Sequence, residues 1–285
     1  MVDEGTRGTR RRGLVRALLL AVAFVALYAV SNLTAFGQTL ENSWARRYDV
    51  DATLGHELDF AGFVPPFNYD IEILVTGVGA ACVIALVRRR WSELLVVAVA
   101  MPLVVFGTHV FKEVAGRPEL VPSLDTATSY PSGHAGIALV VSAALVVVLP
   151  ARALRWAGPV LGCWCLLVIG GLQAEGQHRA SEVIGSGLWT ATVLVAVHAL
   201  VGRGDAQVGR SLPSRRSPRP IRTSAVVTVV VAVIVAVAGG WCPLWWCTLV
   251  YAGAALLATW LTWTAALGAR TPTLGRTSSP GTGRR

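Results

Sequence analysis

The chain has 285 residues, of which 54% are apolar and only 14% charged, with a formal net charge of +9 and a mean hydropathy of +0.58. A soluble domain carries about a quarter charged residues, so this composition excludes an ordinary soluble globule and a disordered chain. Five cysteines without a CxxC pair make neither a disulfide scaffold nor a structural zinc module.

Apolar runs of membrane-spanning character follow one another along the sequence. The first is Ala17 to Leu40, the second Ile73 to Val87, the third Leu94 to Phe111, and the fourth Ala135 to Leu149. Ala157 to Ala174 and Val183 to Gly202 are the fifth and sixth. Thr223 to Ala269 is one uncharged stretch of 47 residues, too long for a single span, and Gly239, Gly240 and Pro243 divide it into two helices. The expected fold is therefore all-α: a polytopic membrane bundle of eight spans with both termini cytoplasmic. Its expected parts are a six-span core (1–202), a basic linker (203–222), a transmembrane hairpin (223–269) and a disordered tail (270–285). A cleaved signal peptide ending near Ala35-Phe36-Gly37 is the alternative for the first run, which is longer than such a core usually is.

The basic residues orient this arrangement. With the N-terminus inside, 20 of the 25 basic residues fall on the cytoplasmic side with only four acids, giving +16 inside and −7 outside. The positive balance is thus a topology signal, which argues against nucleic acid as a partner and makes the lipid bilayer the expected surrounding. The expected location is the plasma (inner) membrane. The acidic, aromatic-containing loop from Glu41 to Glu72 reads as an interfacial belt or as a partial lid over an outward site. Cys242 and Cys247, on the outer turn of the hairpin, are placed to bridge.

Three polar clusters fall at the outer boundary. Lys112-Glu113-Val114-Ala115-Gly116-Arg117-Pro118 leaves the third span, Tyr130-Pro131-Ser132-Gly133-His134 opens the fourth, and Gln177-His178-Arg179-Ala180-Ser181-Glu182 enters the sixth. Lys112 is the only lysine, and its compact ammonium suits a phosphate oxygen. Ser132 can cap a helix and Gly133 permits close backbone approach, so that helix start is an anion site with His134 in its first turn. His178 and Glu182 are spaced i, i+4, so the carboxylate can hold the imidazole and fix its tautomer. Two histidines, one held by a carboxylate, beside cations and a helix N-terminus suggest metal-free phosphoryl transfer: one histidine attacks phosphorus and the other protonates the leaving oxygen. A zinc site on His134, His178 and Glu182 is the competitor, opposed by the surrounding Lys and Arg.

This arrangement resembles the type-2 phosphatidic-acid phosphatase superfamily, which also includes vanadium haloperoxidases. The three clusters follow in that family's motif order, and Pro131-Ser132-Gly133-His134 matches its middle motif in full. The resemblance covers about residues 14–202. It implies a six-helix core, a phosphohistidine formed on His178, leaving-group protonation by His134, orientation of His178 by Glu182, and phosphate contacts from Lys112, Ser132 and Gly133. Arg117 and Arg179 are the further candidate phosphate contacts. There are departures. Arg117-Pro118 stands two positions early, leaving Glu119-Leu120 in the family's register, and Gly171-Leu172 replaces a Ser-Arg pair. The resulting expectation is a cofactor-free hydrolase of phosphoric monoesters or anhydrides, acting on a lipid phosphate or pyrophosphate at the outer face. The alternatives are a lipid-phosphate binding or scaffold protein derived from that family, and a lipid transporter.

Overall fold

The computed structural model describes residues 4–49, 70–122, 129–174, 178–201 and 245–270. Among them there are eight helices and no strand: α1 (Glu4–Asn32), α2 (Ala35–Asp49), α3 (Asp70–Val87), α4 (Trp91–Val114), α5 (Gly133–Val148), α6 (Ala151–Ala174), α7 (Ala180–Val201) and α8 (Trp245–Gly268). Five of them, α1, α4, α6, α7 and α8, are long and apolar enough to cross a membrane, which makes this a membrane protein by composition. The seventh expected span and Cys242 lie outside the described residues, while the backbone of Cys247 falls in the first turn of α8.

The run Ala17 to Leu40 is not one helix. It breaks at Leu33-Thr34, and Ala35-Phe36-Gly37 opens a second helix. Thr34 is the cause on the α2 side: its Oγ1 accepts the Gly37 N–H at 3.0 Å, a helix N-cap. Gly37 is required there, because a Cβ would lie 2.0 Å from the Val30 carbonyl oxygen. Hydropathy does not register such a bend, since both sides of it are apolar.

Helix α7 is the axis of the bundle and packs against α8, α1, α4 and α5. Its small residues let neighbours approach, as expected for Gly185 and Gly187: a Cβ on Gly187 would meet Ala258 Cα at 2.6 Å, and one on Gly185 would strike the Tyr130 ring. With no hydrophobic drive between helices in lipid, such close packing is the main source of association. At one end of the bundle Phe24, Tyr28, Phe111, Tyr130 and Trp189 form an aromatic cluster. The Tyr130 hydroxyl donates to the Phe24 carbonyl at 2.7 Å. Phe111 directly precedes Lys112, and Tyr130 precedes Pro131-Ser132-Gly133-His134, so this cluster brings two of the sequence motifs together. At the opposite end Arg88 Nη1 donates to the Val148 carbonyl, and Arg270 Nη2 donates to the Leu149 carbonyl at 2.5 Å. These arginines tie the α3–α4 turn and the end of α8 to the C-terminus of α5. Cys82, Cys163 and Cys165 are free thiols within helices.

Candidate active site

The site is assembled where α4 ends and where α5 and α7 begin. Ser132 is the N-cap of α5, its Oγ accepting the Ala135 N–H at 3.2 Å. Lys112, in the last turn of α4, places Nζ 3.7 Å from where a Cβ on Gly133 would stand. The expected adjacency of the lysine to that helix start is therefore present, and glycine keeps the approach open. A cation beside a helix N-terminus is electrostatically unfavourable alone and becomes favourable with an anion between them.

His178 does not lie within α7. It precedes the helix, and Arg179 is the residue at the cap. The expected pairing with Glu182 forms nevertheless: His178 Nδ1 is 2.8 Å from Glu182 Oε2. The same oxygen accepts the Arg179 N–H at 3.1 Å, so Glu182 reaches back over its own helix start as in a capping box. Glu182 Oε1 accepts from Arg179 Nη1 at 3.1 Å. Both His178 and Glu182 are buried. With Nδ1–H donated to the carboxylate, the Nε2 lone pair of His178 is the basic, nucleophilic nitrogen. That Nε2 faces His134 Nδ1 at 3.4 Å. The start of α7 is also sewn to the segment before α5. Ser132 N–H donates to the Glu182 carbonyl at 3.1 Å, and the Ser186 hydroxyl lies 2.7 and 2.9 Å from the Ser132 and Glu182 carbonyls.

The two arginines differ. Arg179 is held by Glu182. Arg117 lies on the segment that follows α4, where Glu119 and Leu120 are exposed while Arg117 is half-buried, with its terminal nitrogens inside the protein. The inward residue of that segment is thus the arginine. Helices α1 and α2 hold the segment: Tyr28 donates to the Gly116 carbonyl, Gln38 Nε2 donates to the Pro118 carbonyl at 2.6 Å, and Gln38 Oε1 accepts the Leu120 N–H at 3.1 Å. On α6, Leu172 is fully buried in an apolar cluster with Ala135, Leu139 and Val183, so the position corresponding to the family's arginine contributes core packing. Gln173, beside it, is buried with neither amide atom hydrogen-bonded.

Three participants were missed in the sequence: Gln38, Glu41 and Ser186. Ser186 had a local signal, lying four residues after Glu182. Gln38 and Glu41 sit on the far side of the α1–α2 bend and contact partners 80 to 140 residues away. Glu41 is buried, and its Oε1 accepts the Ser181 N–H of α7 at 3.3 Å. Burial and the neighbouring Glu182 raise its pKa to about 7, against the opposing pull of the Ser181 side chain, Arg179 and Arg117. No group of three His, Cys, Asp or Glu among the described residues is arranged to hold a metal ion.

Compared with protein-family models, with curated proteins and with solved structures, the chain matches none.

Proposed function

We propose that the chain is an integral membrane phosphatase of the type-2 phosphatidic-acid phosphatase kind, hydrolysing a lipid phosphate or pyrophosphate at the outer face of the plasma membrane. The observation that carries this reading is the line Glu182–His178–His134, with a carboxylate on Nδ1 of one buried imidazole and a second imidazole facing its Nε2. In this reading the chain has eight spans with both termini cytoplasmic, a six-helix core and a C-terminal hairpin. The lipid chain stays in the bilayer while its phosphate enters beside Lys112 and the start of α5.

His178 Nε2 attacks phosphorus, the phosphorus–oxygen bond to the lipid breaks, and His134 gives a proton to the departing oxygen. Glu182 holds the Nδ1 proton and the positive charge that develops on His178. Lys112, Arg117 and the N–H groups beside Ser132 and Gly133 stabilise the equatorial oxygens, with Arg179 a further cation behind Glu182. Water then attacks the phosphohistidine, returning its proton to His134 and releasing phosphate. At 3.4 Å the two rings leave no space for a phosphoryl group. In-line attack needs roughly 6–8 Å between those nitrogens, so the half-buried His134 ring swings away from the buried His178 when substrate enters.

The test is phosphate release by the detergent-purified protein over a panel of lipid phosphates and pyrophosphates, in the presence of a chelator. Release is expected to survive chelation and to vanish in His178→Ala; undiminished turnover in that variant refutes the mechanism. A second reading, a lipid-phosphate binding protein without turnover, is favoured by the burial of Leu172 in apolar core and by the engagement of Arg179 with Glu182. It is distinguished by lipid-phosphate binding with no phosphate released from any member of the panel.

A further inference from the structure

The mechanism above leaves Glu41 unused. Glu41 is 5% exposed, and while its Oε1 takes the Ser181 N–H, its Oε2 is buried with no hydrogen-bond partner. The charges acting on this carboxyl are those of Glu182 and Arg179 on the α7 side and Arg117 on the segment after α4; Tyr130, before α5, feels Glu41 in turn. The side chain thus stands among the groups that line the phosphate site, delivered there by a helix that precedes all of them. A protonated carboxyl is a hydrogen-bond donor, and a buried donor without an acceptor is costly. The positive charges of Arg117 and Arg179 act on it, and an oxyanion drawn to those cations is the acceptor that its Oε2 calls for.

We infer that Glu41 is a further anion-contacting residue of this site: its protonated Oε2 donates to an oxygen of the bound phosphate group, and its ionised form repels the same group. The inference rests on the phosphate-site reading above. It makes the site selective for phosphate groups presented while Glu41 holds its proton. The raised pKa supports this, because the proton is then retained to near neutrality. Two histidines face each other in the same site, so the comparison with a variant, and not the native pH profile alone, isolates Glu41.

Sulfate is the suitable probe, since its charge is constant over the pH range of the measurement. Its binding to the full-length protein in detergent is measured by equilibrium dialysis of radiolabelled sulfate between pH 5.5 and 8.5. The native protein is expected to lose affinity with rising pH more steeply than Glu41→Gln, whose amide mimics the protonated acid. At the alkaline end the Gln variant is expected to bind about tenfold more tightly than the native protein, and at the acid end Glu41→Leu, lacking the donor, about tenfold more weakly. Parallel profiles for the native protein and the Gln variant overturn the inference, as does a Gln variant weakened equally at every pH, which marks a purely structural role. Lys112→Met separates the two levels. If sulfate binding requires Lys112 but the profiles are parallel, Glu41 alone is refuted. If native binding is absent or indifferent to Lys112, the phosphate-site reading falls with it.

Discussion

Helix α5 has cations at both ends. At its C-terminus Arg88 and Arg270 donate to the Val148 and Leu149 carbonyls, which suits the negative end of the helix dipole and completes orphaned acceptors. At its N-terminus Lys112 stands beside Gly133, at the end where the dipole repels it. One end is therefore finished by the chain itself, and the other awaits an anion from elsewhere. The start of α7 sharpens the contrast: there the positive end is met by the protein's own Glu182. Two neighbouring helix starts thus differ in whether a carboxylate of the chain caps them directly, and the proposed function places its phosphate at the one that lacks such a cap.

The contrast breaks most decisively at Lys112. Lys112→Met is expected to lower turnover by roughly 10²–10³-fold, about 3–4 kcal/mol of transition-state stabilisation, with the fold retained; phosphate-release rates and a melting curve of the same preparation check both halves. A smaller effect is expected from pH on stability. Glu41 has a folded pKa of about 7, above the ordinary carboxylate value of 4.5, so the folded state binds more protons between those values and stability falls as pH rises through them. The change is up to about 3 kcal/mol. Melting in detergent across pH 5–8 is expected to show this fall in the native protein and a flatter profile in Glu41→Gln. The smallest effect belongs to the opposite end. Arg270→Leu is expected to cost about 1–2 kcal/mol of stability through the lost bond to Leu149 and to leave phosphate release unaltered; a loss of turnover there would dissolve the division between the two ends.

Much of the site was legible because it is local. The cap at Ser132, the tight glycine and the His178–Glu182 spacing are each contained within five residues, and capping and side-chain reach operate at that range. Even there the spacing was read through a helix that in fact begins two residues later, and the pair forms because Glu182 folds back over the helix start. The arginine register was decided by burial and not by counting, with Arg117 inside and Glu119 out. In the sequence Glu41 opens the acidic outer loop, and nothing near it marks it as buried. Its environment is made by α7 and by the segment after α4, both distant in the chain. The bend at Thr34 was written in the sequence as a cap and a glycine, but it lay inside an apolar run whose hydropathy masked it. Of the expected hairpin, α8 is a helix long and apolar enough to cross a membrane, while the other helix falls outside the described residues.

The bond from Ser181 to Glu41 also constrains how the protein is made. It joins residues 140 positions apart, and α1 finds its principal neighbour in α7. The earliest helices to leave the ribosome therefore wait in the bilayer, with a glutamate still to be enclosed, until most of the chain has been synthesised. Long-range closures of this kind are slow and leave partly assembled chains exposed. A nascent chain halted before residue 180 carries Lys112 and His134 but has neither the carboxylate that holds His178 nor a cover for Glu41. The completed His178–Glu182 pair and the final tightening of the bundle thus arrive together, in one late step of biosynthesis.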